Sequence, residues 1–331
     1  MKKVLFATTA LVATAGVAAA DVTFGGYGRF GVIYSSEAGD NGIAQTFGDD
    51  GFGNGDSSVD VTSRFRLQID ATAETDNGVT AGVRVRIEQD NDEIFAAPGA
   101  ASPSFTGDGS YNSTGINAPR FFVRAGGLEV GVGNIFGALE FMPGMYPIDL
   151  GLTGLQYEYT PYQYKGDFYD SDGAGAAFTN NAIEVLYSFG DFSVHVSASD
   201  GVRDRVAAYA AYTWNGWTFA LAAQDSNSAT DTEFAASAAG TFGPAYVSLA
   251  YADNGDDGDQ VTLAARFDVG AATNVEVYIS DADTIFSVVP ENDSYGVDFN
   301  HDLGGGVSLR GGVAKLFAGN TVADAGIRFN F

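Results

Sequence analysis

Residues 59–88 read VDVTSRFRLQIDATAETDNGVTAGVRVRIE, and this stretch decides the fold. Its odd positions from 59 to 73 are apolar apart from one serine, whereas its even positions are all polar. Because side chains alternate between the two faces of a β-strand, one face is apolar and the other is hydrated. Asp76-Asn77-Gly78 has the composition of a hairpin turn, and residues 79–87 repeat the alternation. The stretch therefore predicts two antiparallel strands.

The same alternation recurs as far as the carboxyl terminus. Further hairpins centre on Gly126-Gly127, Gly190-Asp191 and Asn215-Gly216, and each places apolar residues opposite apolar ones. The chain contains sixteen such strands, and their connections alternate between short ones and longer ones such as 91–118 and 137–180. An even number of strands with alternating connections is typical of a closed up-and-down barrel. The sequence predicts an all-β fold, a 16-stranded antiparallel transmembrane β-barrel over residues 21–331.

A soluble β-sandwich is the alternative fold. Its apolar faces would pack against each other, in domains of perhaps 7–9 strands. Nearly every strand here also has a polar second face, and a barrel with lipid outside and water inside explains both faces. Aromatic residues beside the short turns fit a belt at the membrane interface, namely Phe189, Phe192, Trp214, Trp217, Phe242 and Tyr246.

Residues 1–20 are predicted to be a secretory signal peptide. Lys2 and Lys3 precede an apolar stretch, and Ala18-Ala19-Ala20 supplies small residues for cleavage before Asp21. A short membrane anchor is the alternative, but the apolar stretch is shorter than the roughly 20 residues that a helical span needs. The sequence therefore predicts export from the cytoplasm.

Composition excludes several functional classes. The chain has 331 residues with 16 basic and 42 acidic side chains, a net charge of −26 and no cysteine. Disulfides and thiolate metal sites are therefore excluded, and so acidic a chain lacks the basic patches that bind nucleic acid. With only two histidines, His195 and His301, it offers little material for a histidine zinc site or a catalytic triad. No catalytic residue and no enzymatic activity are predicted.

These features together resemble the general outer-membrane porins, most closely the type found in photosynthetic alphaproteobacteria. The resemblance is carried by the signal peptide, the strand pair 59–88, the segment GAATNVEVYISD at 270–281 and the carboxyl-terminal residues 302–331. It covers the whole mature chain. A terminal aromatic residue is a hallmark of outer-membrane barrels, and the resemblance gives Phe331 the role of an assembly signal.

The resemblance also implies a function and partners. It implies a homotrimer in the outer membrane of a Gram-negative bacterium, in contact with lipid and lipopolysaccharide. Each barrel would let small hydrophilic solutes and ions diffuse passively. The third long loop would fold into the lumen and constrict the channel. Two other classes remain open on the residues alone, an outer-membrane barrel enzyme and a secreted, soluble Ca²⁺-binding β-rich adhesin or surface protein.

The third long loop, residues 137–180, is the longest connection and is rich in apolar side chains. So apolar a segment is expected to pack on other parts of the protein, and the inner wall of the barrel is the available surface. Packing over the rim or on a neighbouring subunit is the alternative. The apolar residues are Leu139, Phe141, Met142, Met145, Tyr146, Ile148, Leu150, Leu152, Leu155 and Tyr157.

Charged residues predict the chemistry of the constriction. Strand alternation directs a group of arginines into the lumen, namely Arg29, Arg64, Arg66, Arg84, Arg86, Arg120 and Arg124. The third loop supplies carboxylates, which are Glu140, Asp149, Glu158, Asp167, Asp170 and Asp172. An arginine-lined wall facing an acidic loop would create a transverse field that orients polar solutes. Ordinary solvated lumen charge is the alternative.

An acidic segment, DNGDDGD at 253–259, resembles a loop that binds a divalent cation. Its carboxylates are hard oxygen ligands, and its glycines permit tight turns. It lacks the glutamate that closes an EF-hand, so that motif fails. No cofactor is required, but the family resemblance supports Ca²⁺ as a structural ion, with a solvated acidic loop as the alternative. The candidate ligands are Asp253, Asp256, Asp257 and Asp259.

Overall fold

A computed structural model describes residues 20–36, 59–90, 113–116, 118–162, 181–200, 204–227, 230–283 and 293–331. Sixteen antiparallel strands form one sheet, and the fourth strand consists of two segments. The strands are β1 Asp21–Ser35, β2 Val59–Glu74, β3 Thr80–Asp90, β4 Ser113–Ile116 and Arg120–Ala125, β5 Leu128–Gly133, β6 Asn181–Phe189, β7 Phe192–Asp200, β8 Arg205–Trp214, β9 Trp217–Ser226, β10 Glu233–Phe242, β11 Ala245–Asp253, β12 Asp259–Asp268, β13 Thr273–Ala282, β14 Ser294–Gly304, β15 Val307–Lys315 and β16 Thr321–Asn330. Two short 3₁₀ turns lie at Leu155–Tyr157 and Gly255–Asp257.

The sheet closes on itself. Each strand pairs with the next along the chain, and β1 pairs with β16 from Tyr27 opposite Asn330 to Ser35 opposite Val322. Beyond this ladder, Gly26 and Phe331 exchange two backbone hydrogen bonds of 3.0 and 3.1 Å. Closure leaves neither the first nor the last strand with an unpaired edge. The predicted 16-stranded antiparallel barrel is confirmed.

The fourth strand differs from the sequence prediction. Residues 91–118 are predicted to be a connection, whereas Ser113–Ile116 pairs with β3 as a short first segment of β4. The second segment begins at Arg120, directly after Pro119. Because proline has no backbone N–H to donate, it interrupts a β ladder. The alternation of side chains in so short a segment is too brief to be recognised in the sequence.

The outer face of the barrel is an apolar surface. Large apolar side chains such as Phe65, Phe121, Leu221 and Leu249 are exposed, while their sequence neighbours on the other face are buried or partly buried. A soluble protein rarely exposes so extensive an apolar surface, whereas a membrane barrel requires one. The soluble alternative is therefore not favoured. In the part of the chain that the structure describes, no helix is long and apolar enough to cross a membrane.

Tyr246 corrects one detail of the predicted aromatic belt. It lies opposite Thr241 and Arg266, and it shares its face of β11 with the buried Ser248 and Ala250. It therefore points into the lumen, whereas alternation aims the other aromatic residues of the predicted belt outward. Phe242 pairs with Ala245 across the two-residue turn Gly243-Pro244. Outward-pointing residues therefore have even numbers in β10 and odd numbers in β11, which places Tyr246 on the inner face.

Candidate functional site

A long segment of the third connection lies inside the barrel, against its inner wall. This segment, residues 134–162, is termed the inner loop. Its first half buries Leu139, Met142 and Met145 in an apolar cluster, together with Tyr162. The wall contributes small side chains to this cluster, and their size leaves room for the loop. These wall residues are Ala211, Ala220, Ala222, Ala235 and Ala252.

The second half of the inner loop packs on a different part of the wall. Ile148, Leu150 and Leu155 are buried there with Tyr159, against residues of β12, β13, β15 and β16. Leu152 lies over two glycines, Gly31 and Gly326, which face each other across β1 and β16. A methyl group at either glycine would lie 2.7 or 2.6 Å from the Leu152 Cδ2 atom. The predicted inward-folded loop, residues 137–180, is confirmed for residues 137–162, and its remainder, 163–180 with Asp167, Asp170 and Asp172, lies outside the described residues.

Four wall carboxylates hold the backbone of the inner loop. Glu184 accepts a hydrogen bond of 3.0 Å from Phe136 N, and Glu276 accepts one of 2.9 Å from Asp149 N. Asp298 accepts one of 2.6 Å from Gly151 N. Buried N–H groups need such partners because they have lost water.

Asp324 makes the densest set of these contacts. Its Oδ2 atom accepts from Leu152 N at 2.9 Å, from Thr153 N at 2.7 Å and from Thr153 Oγ1 at 2.8 Å. Sequence reasoning missed all four anchors. Their signal is a lone acid in the middle of an otherwise apolar or small-residue strand, as in NAIEVLY, TNVEVYIS, YGVDF and TVADAG.

Wall amides bind the loop carbonyl groups in the same way. Asn254 Nδ2 donates to Pro161 O at 3.1 Å, and Gln260 Nε2 donates to Glu158 O at 2.8 Å. Wall side chains thus supply both donors and acceptors to the loop backbone. The inner loop is thus a fixed part of the channel wall.

A strained turn projects one loop side chain towards the lumen. Leu155, Gln156 and Tyr157 all have positive φ angles, of 41, 77 and 58°. The left-handed conformation costs a non-glycine residue about 1–2 kcal/mol. The packing of Leu155 in the apolar cluster keeps the turn in this conformation, and the ring of Tyr157 remains partly exposed.

The arginines of β2 and β3 lie on the inner wall. Arg64 and Arg66 both pair with Glu88, the former at 3.2 Å. Arg84 pairs with Asp70 at 2.7 Å, and Arg86 Nε donates to Gln68 Oε1 at 3.1 Å. The structure therefore brings these four predicted residues together, each with a partner on the wall itself.

The other predicted arginines have separate positions. Arg29 is buried, and its Nη1 atom donates to Leu152 O at 3.1 Å, so it fastens the inner loop. Arg120 pairs with Glu184 and Glu129, both at 2.5 Å. Arg124 lies beside the short turn at the end of β4, with its guanidinium 5.4 Å from the Phe122 ring centroid.

Barrel closure adds two arginines that sequence reasoning missed. Arg328 lies opposite Arg29, which in turn lies opposite Arg64, so three guanidinium side chains form a row across β16, β1 and β2. Asp149 on the inner loop pairs with Arg310 at 2.5 Å and with Arg328 at 3.1 Å. The row is hidden in the sequence because Arg328 lies hundreds of residues from Arg29 and Arg64.

The predicted loop acids occupy different surroundings. Asp149 is exposed to the lumen and meets arginines, whereas Glu140 is partly buried on the inner loop. The Glu158 side chain lies between the inner loop and the wall, where its Oε2 atom accepts a hydrogen bond of 2.9 Å from Phe317 N. Burial raises the pKa of the Glu158 carboxyl from 4.5 to about 7, and the hydrogen bonds oppose this only in part.

The predicted cation ligands make local contacts. Asp253 accepts from Gly255 N at 3.0 Å, Asp256 accepts from Thr230 N at 3.0 Å, and Asp259 accepts from Tyr251 OH at 2.8 Å. The side chain of Asp257 lies outside the described part of the structure. Among the described residues, no group of three or more acidic or histidine side chains is arranged to hold a metal ion. The Ca²⁺ site stays a prediction.

The terminal residue completes the seam of the barrel. The Phe331 ring stacks on Phe65, with centroids 5.8 Å apart and planes at 17°. It also lies 6.3 Å from the Phe329 ring. These contacts fix the end of the chain, and the role of Phe331 as an assembly signal stays a prediction.

Comparisons with known proteins agree with this architecture. The Gram-negative porin family matches residues 7–321. A porin of Fuscovulum blasticum is 29% identical over 337 residues, which cover 94% of this chain and 100% of that protein. A porin of Rhodobacter capsulatus is 30% identical over 263 residues, which cover 66% of this chain and 82% of that protein.

Solved structures give the same result. A triple mutant of the Rhodopseudomonas blastica porin superimposes with a TM-score of 0.75 at 28% identity, covering 94% of this chain and 100% of that one. The chain is thus an outer-membrane channel protein with a loop-constricted lumen, and it belongs to the Gram-negative porin family.

Proposed function

We propose that this porin is a homotrimeric diffusion channel for small hydrophilic solutes and ions, without enzymatic activity. The observation that carries the proposal is the inner loop, which lies in the lumen and leaves charged wall residues exposed beside it. Arg84 and Asp70 keep 27 and 20% of their side-chain surface accessible, and Asp149 keeps 58%. A polar, hydrated passage of this kind admits solutes by size and charge.

We further propose that arginines set the charge selectivity of the constriction. Seven of them lie on five neighbouring strands, β15, β16, β1, β2 and β3, and two of the paired positions place arginine opposite arginine. Like charges in such positions repel, and Glu88, Asp70 and Asp149 offset this only partly. In this proposal the transverse field runs from the arginines of β1–β3 to the carboxylate of Asp149 on the inner loop. Asp149 also forms ion pairs with Arg310 and Arg328.

Ion selectivity tests this proposal. Replacing Arg64, Arg66, Arg84 and Arg86 together by glutamine removes four positive charges, so the reversal potential in a salt gradient should shift towards stronger cation preference. Arg124→Gln is the control, because Arg124 lies beside a short turn. An unshifted reversal potential in the quadruple variant, or an equal shift in the control, contradicts the proposal.

The trimer, the lipid contacts and the bound ion are part of the same proposal. The exposed apolar outer face supports contacts with lipid and with neighbouring barrels, and the acidic segment 253–259 supports Ca²⁺ bridging to lipopolysaccharide phosphates. Thermal denaturation of the purified oligomer with and without EDTA tests the ion. Equal midpoints in the two conditions contradict a structural role for Ca²⁺.

A further inference from the structure

A recess lies between the inner loop and the wall, next to the short turn at residues 243–244. Its volume is about 960 Å³. Tyr146, Pro147 and Tyr157 line it from the loop, and Tyr246 and Arg266 line it from the wall. Short turns of outer-membrane barrels face the periplasm. The recess therefore belongs to the periplasmic half of the channel.

Three tyrosine rings in this recess are open to water. Tyr146, Tyr157 and Tyr246 keep 42, 38 and 43% of their surface accessible, although most other apolar side chains of the loop are buried. Two of the three come from different parts of the loop, and the third comes from the wall. Aromatic rings present flat apolar faces, and their hydroxyl groups form hydrogen bonds. Such a group of rings in a hydrated lumen is suited to contact a solute.

The position of one of these rings, that of Tyr157, depends on a strained backbone conformation. Tyr157 ends the run of three residues with positive φ angles, a conformation that persists only where the surrounding packing enforces it. Leu155 is fully buried in the apolar cluster and Gly154 precedes it with a φ angle of 91°. The turn therefore fixes Tyr157 on the lumen side of the loop.

The charged groups around the recess are largely compensated. Arg266 lies 3.4 Å from Asp268, and Asp149 is held by Arg310 and Arg328. Glu276 accepts a backbone hydrogen bond from the loop. The lining contains three carboxylates and one guanidinium, and the two arginines that pair with Asp149 bring the charged groups to three of each sign. A neutral solute with hydroxyl groups and an apolar ring face matches this lining better than an ion does.

We propose that this recess is a weak binding subsite for neutral sugars on their way through the channel. A pyranose ring would stack its C–H face on a tyrosine and form hydrogen bonds with Arg266 and Asp268. Binding must remain weak, because a solute that binds tightly blocks conduction. The inference rests on the proposed diffusion function and adds a solute preference to it.

Sugar-dependent block of ion current tests the subsite. Maltose added to single channels in planar bilayers should reduce the conductance saturably, beyond the reduction that polyethylene glycol of the same size causes. Removing all three rings, as Tyr146→Ala, Tyr157→Ala and Tyr246→Ala, should raise the half-blocking concentration about tenfold or more, since the sugar loses the rings on which it stacks. Tyr246→Ala alone, which leaves the loop intact, should raise it about threefold to tenfold.

Phe141→Ala is the matched control. Phe141 lies on the same loop with 41% of its surface exposed, but it does not line the recess. It should leave the half-blocking concentration unchanged. The subsite is overturned if maltose reduces conductance no more than polyethylene glycol does, if Tyr246→Ala has no effect, or if phenol blocks with this tyrosine dependence and maltose does not. Ion conductance without sugar is measured for the wild type and for every variant. A wild-type protein that conducts no ions in the bilayer would overturn the diffusion function rather than the subsite.

Discussion

At the scale of single residues, Asp324 does most to hold the inner loop. Its carboxylate accepts hydrogen bonds from Leu152 N, Thr153 N and Thr153 Oγ1, and a fourth of 3.1 Å from Gly312 N. Hydrogen bonds to a charged group contribute about 1.5–3 kcal/mol each, although such values do not add. The part of the loop at Leu152 and Thr153 therefore depends strongly on one side chain of β16.

Asp324→Ala should weaken docking of the loop by about 2 kcal/mol or more, since it leaves buried N–H groups without acceptors. We expect larger and noisier single-channel currents, and faster proteolysis of the loop in the folded barrel. Asp324→Asn keeps one acceptor oxygen and should have a smaller effect. Identical currents in the wild type and the alanine variant would contradict this role.

Glu158 predicts a pH dependence. Its folded-state pKa of about 7 exceeds the ordinary value of 4.5, because burial favours the neutral carboxyl. The folded protein therefore binds this proton more tightly than the unfolded chain does, and stability falls as pH rises between the two values. The Glu158 contribution is greatest below pH 4.5 and fully lost above pH 7.

Glu158→Gln should remove this part of the decrease in thermal stability, measured as heat-denaturation midpoints of the detergent-solubilised protein across that pH range. Glu140→Gln, on the same loop, serves as the control. A Glu158→Gln variant whose midpoint falls as far as that of the wild type would show that another group causes the dependence.

At the scale of elements, the wall strands are shaped to receive the inner loop. The alanines of β8 to β11 leave space for Leu139, Met142 and Met145. Ala235→Leu should overpack this contact at a cost of about 1–3 kcal/mol and displace the loop, which alters conductance. Ala236→Leu is the matched control, since its side chain points to the opposite face of β10. Equal conductance changes in both variants would refute this account.

The elements also show what the sequence can predict. Side-chain alternation assigns each residue of a strand to one face of the sheet. Asn215-Gly216 and Gly126-Gly127 predict tight turns, and all four residues have positive φ angles in the structure. The anchor acids Glu184, Glu276 and Asp298 escape this reasoning because their partners are backbone groups of a distant loop. Side-chain alternation contains no information on which loop atoms meet which wall atoms.

At the scale of the whole molecule, closure determines both stability and the layout of the site. The row of Arg328, Arg29 and Arg64 exists only because β1 pairs with β16. Sequence analysis predicts a closed barrel from the number and spacing of strands, but the register of this last pairing depends on contacts between the two ends of the chain. The arginines at 310 and 328 therefore could not be assigned to the constriction from sequence.

Removal of residues 321–331 should prevent formation of the barrel, because β15 and β1 would both have unpaired edges. The measurement is electrophoretic mobility in SDS without heating, where folded barrels migrate differently from heated samples. Phe331→Ala, which loses the ring contact with Phe65 but keeps the backbone pairing, should still give a heat-modifiable band. A folded band from the truncated chain would contradict the requirement for closure.

The exchange of hydrogen bonds between Gly26 and Phe331 has a consequence for biosynthesis. β1 ends at Ser35, whereas its partner β16 begins only at Thr321, so β1 is synthesised long before the strand that it pairs with. Until that segment arrives, β1 has one side without a neighbour and is open to pairing with other chains. Safe delivery to the membrane therefore requires that the newborn polypeptide be kept from collapsing until β16 is available to pair.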